Sequence, residues 1–129
     1  MTEIVLDASA LIAMLRKETG AQVVAEALAR ARMSVVNFAE VVGHFLYTGV
    51  PRRELEELLA GLRLPLVEAD VELAWAAGRL RPAAAGAGLS LGDRFCLALG
   101  ARDRLPVWTA DRQWRTIADK VGVEIVLIR

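Results

Sequence analysis

The stretch EIVLDASALIAML, residues 3–15, decides the fold and also raises the question of function. Its continuous apolar start predicts a short buried strand over 3–6, and a helix that Ser9 could cap follows with apolar side chains at helical spacing. Asp7 is the one charged residue between Ile4 and Leu15. A carboxylate without a partner is costly in a dry interior. Asp7 therefore either caps the helix or belongs to a functional site.

The alternation of short apolar strands with helices continues along the chain. Further strands are predicted at 33–36, 64–67, 105–109 and 123–128. Further helices are predicted at 21–31, 37–49, 52–62, 69–81, 91–104 and 111–122, with a linker of small residues at 82–88. Such a pattern is typical of a parallel sheet covered by helices on both faces. We therefore expect an α/β fold with about five parallel strands, in one domain over residues 1–129.

Composition restricts the possible function classes. The chain has 129 residues, 55% of them hydrophobic, and its mean hydropathy is +0.38. Its 16 basic and 16 acidic residues balance, so no global positive field marks a nucleic-acid binder. The single cysteine, Cys96, favours a reducing, cytoplasmic setting, and no uncharged stretch approaches the ~20 apolar residues of a membrane span.

Four acidic residues are predicted at the carboxyl ends of strands or in the helices that follow them: Asp7, Glu40, Asp93 and Asp111. In open parallel sheets, ligands bind beyond the carboxyl ends of the strands, where the strand order reverses. If the first and fourth strands are neighbours there, all four acids can meet. Taken singly, each acid could instead be a helix cap, since capping and the helix dipole favour acids at helix starts.

A cluster of four carboxylates requires a counter-charge. Two carboxylates ~4 Å apart repel by roughly 4 kcal/mol at an effective dielectric near 20. Oxygen-only ligands select a hard cation, so we expect Mg²⁺ or Mn²⁺ at this site. His44 follows Glu40 by four residues, but we interpret it as an ordinary helix residue.

The motifs VLDASAL (5–11), NFAE (37–40), LSLGDRFCLALG (89–100) and LPVWTADRQW (105–114) resemble those of PIN domains, specifically of VapC-type toxins from bacterial toxin–antitoxin pairs. This resemblance covers nearly the whole chain. It implies a three-layer α/β/α fold and a Mg²⁺- or Mn²⁺-dependent endoribonuclease. The family's acidic positions fall on Asp7, Glu40, Asp93 and Asp111, and its supporting polar positions on Ser9, Asn37 and Thr109.

The resemblance also implies a mechanism and partners. Metal-assisted hydrolysis of an RNA phosphodiester by water needs no nucleophilic side chain. Arg94 and Arg112 each follow a candidate ligand and could bind phosphate, pair with a carboxylate or face solvent. VapC-type toxins form homodimers and are inhibited by a cognate antitoxin. From the sequence alone we expect most of the tryptophans, Tyr47 and the leucine stripe 55–62 to be core residues.

Three other interpretations are weighed against this one. A haloacid-dehalogenase-like phosphatase also begins with a strand and an aspartate, but requires a second acid where this chain has Ser9. A receiver domain requires a phosphate-accepting aspartate at its third strand, where Val67 is followed by Glu68. A PIN-like domain that only binds its partners is the non-enzymatic alternative, and the intact set of acids argues against it.

Overall fold

The computed structural model describes residues 2–84, 86 and 88–129, and its centre is a parallel sheet of five strands. The strands are β1 (Ile4–Leu6), β2 (Ala31–Ser34), β3 (Leu66–Val67), β4 (Val107–Thr109) and β5 (Ile125–Leu127). Their order across the sheet is β3-β2-β1-β4-β5, and every pairing is parallel. The predicted parallel sheet is therefore confirmed.

Helices connect the strands and cover both faces of the sheet. In the described ranges they are α1 (Ala8–Leu15), α2 (Ala21–Ala27), α3 (Val35–Tyr47), α4 (Arg52–Gly61), α5 (Val71–Arg79), α6 (Arg81–Ala84), α7 (Leu91–Asp103) and α8 (Ala118–Val121). Two 3₁₀ segments, Leu28–Arg30 and Arg112–Ile117, complete the set. None of these helices is both long and apolar enough to span a membrane.

The alternation of side chains along β1 separates two hydrophobic layers. Ile4 and Leu6 pack with α1 to α4 in one cluster, whereas Val5 packs with α5, α7 and Trp114 in the other. Successive side chains of a strand point to opposite faces, so a strand that is apolar throughout must be covered twice. The three-layer α/β/α architecture follows from this requirement.

Strand β2 lies two residues earlier than predicted, at 31–34 and not at 33–36. The Ser34 side chain accepts a hydrogen bond from the Val36 amide at 3.2 Å, so α3 begins at Val35 and removes both valines from the strand. A capping serine therefore determines this boundary in spite of the β propensity of valine. Glu40 consequently lies in the second turn of α3, where it cannot cap the helix.

The sequence pattern did not indicate which face of α5 is buried, and the linker predicted after this helix begins too early. The apolar stripe Val71, Ala74, Trp75 and Gly78 faces solvent, and α5 buries Leu73 and Ala77 instead. This helix carries small and apolar residues around most of its circumference, so their spacing could not identify the inner face. The linker predicted at 82–88 begins inside α6, and its Ala85 and Ala87 lie outside the described residues.

The expectation for the large apolar side chains was right only in part. Trp114, Leu55 and Leu59 are buried, and Trp108 packs partly buried against the core. Trp75 and Tyr47 are instead 67% and 92% exposed.

The predicted helix 111–122 is divided into a 3₁₀ segment and the short helix α8.

The strand order reverses between β1 and β4. Numbers increase from β1 through β2 to β3 on one side, whereas β4 and β5 occupy the other side. Val5 pairs with Val107 and Leu6 with Trp108, so the first and fourth strands are neighbours, as the site prediction required. The crevice for a ligand is expected beyond the carboxyl ends of these two strands.

Close packing of α7 on β4 generates a test of the core. A Cβ added at Gly100 would collide with Val107 Cγ2 and lie 3.2 Å from the Leu105 carbonyl oxygen, so core atoms would have to move. We expect Gly100→Ala to lower the free energy of unfolding by about 1–3 kcal/mol in urea titrations. Gly43→Ala, which meets nothing within 4 Å in α3, is the control and should not destabilise the protein. Equal effects of the two substitutions would contradict this packing argument.

Candidate active site

Asp7 lies at the carboxyl end of β1 and is almost completely buried, at 3% exposed. Its Oδ1 accepts a hydrogen bond from the Ala10 amide at 2.8 Å, so Asp7, and not Ser9 as expected, is the N-cap of α1. Two hydroxyls also donate to this carboxylate: Ser9 Oγ, 2.8 Å from both oxygens, and Thr109 Oγ1, 2.6 Å from Oδ2. Each of these three groups is a hydrogen-bond donor, so the Asp7 carboxylate is the acceptor in every contact.

The same two hydroxyls join the ends of β1 and β4. Ser9 Oγ accepts a hydrogen bond from the Ala110 amide at 2.9 Å, and Thr109 Oγ1 accepts one from the Asp111 amide at 3.0 Å. Each hydroxyl therefore donates to Asp7 and accepts from the backbone after β4. Ser9 and Thr109, predicted only through the family resemblance, thus form one polar network with Asp7.

Burial dominates the electrostatics of Asp7. Removal from water raises its pKa from 3.8 to about 7, against the opposing effect of the hydrogen bonds from Thr109, Ala10 and Ser9, while Asp93 adds a small upward contribution. An ionised Asp7 is therefore an unstable arrangement at neutral pH unless a cation compensates its charge.

Asp93 lies in the first turn of α7. Its Oδ2 accepts a hydrogen bond from the Ser90 amide at 2.9 Å, and Ser90 Oγ accepts one from the Asp93 amide at 3.1 Å, which completes a capping box. Burial is the largest cause of a raised pKa for Asp93, and the nearby charge of Asp111 acts in the same direction. The capping and the functional interpretations of this acid are therefore compatible.

Glu40 is held against α7 from the neighbouring helix α3. Asn37, 1% exposed, donates from Nδ2 to Glu40 Oε1 at 2.8 Å and to the Gly92 carbonyl oxygen at 3.0 Å. Burial also raises the pKa of Glu40, and the charge of Asp93 contributes in the same direction. Asn37 was predicted through the family resemblance, whereas Gly92 was not predicted, since its only signal in the sequence is a glycine immediately before an acid at a helix start.

Asp111 follows β4 and is the N-cap of the 3₁₀ segment. Its Oδ1 accepts a hydrogen bond from the Gln113 amide at 2.9 Å. The charge of Asp111 raises the pKa of Asp93, and the charge of Asp93 in turn raises the pKa values of Asp7 and Glu40. Asp93 is thus the acid through which the electrostatic effects of the other three are connected.

These carboxylates have no cationic partner in the described part of the chain, where every ion pair involves other acids. In Glu40, Asp93 and Asp111, the hydrogen bonds among described residues engage one carboxylate oxygen and leave the second without a donor. This donor set, all oxygen and all anionic, suits Mg²⁺ or Mn²⁺ and does not suit zinc.

The acids do not, however, form a finished metal cage. Within residues 2–84, 86 and 88–129, no group of three or more histidine, cysteine, aspartate or glutamate side chains is close enough to hold a metal ion. Each acid is instead oriented by its own local hydrogen bond. Pairwise charge effects connect Asp93 with each of the other three acids, but coordination of one ion would require the free oxygens to turn toward a common point.

Among the basic residues near the site, Arg94 and His44 contact residues other than the four acids, and Arg112 is exposed. Arg94, half-buried, donates from Nη1 to the Ala77 carbonyl oxygen on α5 at 3.4 Å, and Arg112 is exposed at the start of the 3₁₀ segment. His44 lies 3.2 Å from Arg16 Nη1 through its Nε2. A neighbouring guanidinium disfavours a metal at that histidine.

The chain is similar to a known protein family and to several solved structures. The sequence matches the PIN domain family over residues 4–120, and no curated protein matches it significantly. Among solved structures, a chain of the DNA-bound VapBC from Salmonella typhimurium matches with a TM-score of 0.77 at 19% identity, over 100% of both chains. VapBC-5 from Mycobacterium tuberculosis, of the VapBC family of toxin–antitoxin systems, matches with a TM-score of 0.66 at 27% identity, over 98% of this chain and 99% of that one. A toxin–antitoxin complex from Klebsiella pneumoniae matches with a TM-score of 0.72 at 20% identity, over 98% of each chain.

The raised pKa of Asp7 generates a prediction for stability. Below pH ~4 Asp7 is protonated in both the folded and the unfolded protein. Between pH ~4 and about 7 the unfolded chain releases this proton while the folded protein retains it, so stability falls with pH until the folded-state carboxyl also ionises. In chelator, the free energy of unfolding should therefore fall between pH 5 and pH 8, with Asp7 contributing roughly 3 kcal/mol at most. Asp7→Asn should flatten this dependence in urea titrations at the two pH values. An unchanged slope in that variant would assign the pH dependence to other groups.

Proposed function

The chain belongs to the PIN domain family, and on this premise we propose that it is the toxin of a toxin–antitoxin pair that hydrolyses RNA with Mg²⁺ or Mn²⁺. The observation that carries the proposal is the set of four carboxylates without a cationic partner at the reversal of strand order. Structural acids would be expected to have such partners or to remain solvated. The family match also sets aside the haloacid-dehalogenase-like phosphatase and the receiver domain.

Asp7, Glu40, Asp93 and Asp111 are the proposed metal ligands. When bound, Mg²⁺ or Mn²⁺ supplies Lewis-acid polarisation of the scissile phosphate and lowers the pKa of a coordinated water. The hydroxyls of Ser9 and Thr109 orient the Asp7 carboxylate and offset part of the cost of its ionisation, and Asn37 does the same for Glu40. These three residues act as positioning groups.

The site favours water over a side chain as the nucleophile. The hydroxyls of Ser9 and Thr109 are both committed to Asp7 as donors, so neither is available for attack. The Cys96 thiol is fully buried, and burial raises its pKa well above the usual value, which keeps it protonated. Direct attack of water on the phosphodiester is the reaction that remains for these residues.

RNA and protein partners belong to the same proposal. Arg112, exposed beside Asp111, and Arg94, adjacent to Asp93, are the proposed phosphate contacts. Similarity to a toxin–antitoxin complex and to a member of the VapBC family of toxin–antitoxin systems supports a cognate antitoxin for this chain. Exposed Trp75 and Tyr47, and an apolar groove of about 630 Å³ between α3 and α4, supply surface for that antitoxin and for a homodimer. A cytoplasmic location fits the single free cysteine.

The first prediction from this proposal concerns RNA cleavage. Purified protein free of antitoxin should cleave single-stranded or looped RNA in Mg²⁺ or Mn²⁺ and lose this activity in excess chelator. Asp93→Asn should lower the cleavage rate by at least about 100-fold, because a charged ligand is lost while an asparagine can still accept the capping hydrogen bond.

Asp70→Asn is the matched control for that substitution. Asp70 is also a helix cap, accepting from the Leu73 amide at 2.8 Å, but its charge acts on Arg102 near the far end of α7. The control should cleave RNA at the wild-type rate. Cleavage that persists in chelator, or in Asp93→Asn, would contradict the proposal.

The second prediction concerns toxicity and its neutralisation. Expression of the wild-type chain alone should slow bacterial growth, Asp93→Asn should not, and co-expression of a cognate antitoxin should restore growth. Growth curves and immunoblots at matched protein levels provide the measurement. Equal toxicity of the wild type and Asp93→Asn would mean that the effect does not arise from the site, and would favour the non-enzymatic alternative.

A further inference from the structure

Gly92 lies directly under the Glu40 carboxylate. A Cβ added at Gly92 would lie 2.6 Å from Glu40 Cδ and Oε2, and closer still to Oε1, and these three atoms are the nearest that it would meet. Such distances are far below van der Waals contact. The carboxyl group of Glu40 therefore occupies the space that any side chain at position 92 would need.

The obstruction at Gly92 differs in kind from the one at Gly100. At Gly100 the added atom would meet the buried side chain of Val107 and the backbone, which are fixed by the core. At Gly92 the three nearest atoms all belong to the tip of a flexible side chain that is anchored in the neighbouring helix. The backbone of Gly92 is not among the positive-φ glycines, so it accepts an alanine without conformational strain. Substitution should consequently move Glu40 and leave the fold intact.

Asn37 holds Glu40 in this position from the other side. Its Nδ2 donates both to Glu40 Oε1 and to the carbonyl oxygen of Gly92 itself, so one amide group connects the acid to the residue beneath it. Asn37 is buried, and this pair of acceptors fixes the orientation of its amide. The Glu40 carboxylate is thereby confined between the Asn37 amide and the Cα of Gly92, the residue immediately before Asp93.

We infer that Gly92 is a positioning residue for Glu40, and that its lack of a side chain is what allows the Glu40 carboxylate to lie beside Asp93. The inference rests on the proposed function. A Cβ at position 92 would force Glu40 into another rotamer, break its hydrogen bond with Asn37 and remove one carboxylate from the site. Misplacement of a catalytic group by about 1 Å can lower a rate about 100-fold.

The test compares wild type, Gly92→Ala and Gly43→Ala by three measurements: Mg²⁺ affinity by calorimetry, RNA cleavage with kcat and KM separated, and thermal melts in chelator. Gly92→Ala should weaken Mg²⁺ binding by about 10–100-fold and lower kcat, with little change in KM for RNA. Its melting temperature should equal or exceed that of the wild type, because alanine favours helix and only Glu40 must move. Gly43→Ala should match the wild type in Mg²⁺ affinity and cleavage.

A double-mutant cycle with Glu40→Ala tests whether Gly92 acts through Glu40. In the Glu40→Ala background no carboxylate lies over position 92, so adding Gly92→Ala should weaken Mg²⁺ binding no further. If Gly92→Ala alone melts at a lower temperature, Glu40→Ala should restore that temperature by removing the collision. Full Mg²⁺ affinity in Gly92→Ala, or equal losses in both backgrounds, would overturn the inference while leaving the proposed function standing. A wild type that neither binds Mg²⁺ nor cleaves RNA would overturn both.

Discussion

The buried carboxylate of Asp7 is the constraint on which the rest of the site depends. It occupies the junction of β1 and β4, where the strand order reverses, and burial makes its ionised form costly. Hydroxyls from Ser9 and Thr109 and the amide of Ala10 offset part of that cost, and in doing so they fix how the two strands end. The Asp111 amide donates to Thr109 Oγ1, which itself donates to Asp7. The hydrogen bonds that stabilise Asp7 therefore also help to position Asp111.

Three of the four acids have a local structural role in addition to the proposed functional one. Asp7, Asp93 and Asp111 each accept a backbone amide at the start of a helical segment, which satisfies a donor that the helix itself cannot satisfy. These hydrogen bonds orient each carboxyl group with one oxygen, and in Asp93 and Asp111 the other stays free of donors. Hydrogen bonds to nearby backbone amides thereby orient these three mutually repelling carboxylates, and none of the ion pairs among the described residues involves them. Glu40, deep in α3, lacks this device and depends on Asn37 and Gly92.

The architecture could be predicted from the sequence and the four acids could be proposed as a site, because strands, helices and the residues that follow them leave periodic or punctuated patterns. Apolar strands followed by acids identified the sheet edge, and the pairing of β1 with β4 met the condition on which the convergence depended. Other features depend on tertiary contacts that no local pattern records. The outward stripe of Trp75 could not be distinguished from the buried face with Leu73, and Gly92 acquires its role only through a residue 52 positions earlier in another helix. Whether side chains come close enough to hold a metal ion also depends on their conformations, which sequence spacing does not determine, and no such group of three or more lies among the described residues.

The pairing of β1 with β4 also has a temporal consequence. Val5 contacts Val107, and the hydroxyl that stabilises Asp7 arrives with Thr109, so the two halves of the site are separated by most of the chain. On the ribosome, a nascent chain lacking β4 leaves the β1 edge unpaired and the Asp7 carboxylate without its partner across the junction. Contacts of such long sequence separation form late, because the intervening chain must be ordered first. The candidate site is therefore assembled only after β4 has been synthesised and has paired with β1, so a nascent chain that lacks β4 has every acid before Asp111 but not the junction that orients Asp7.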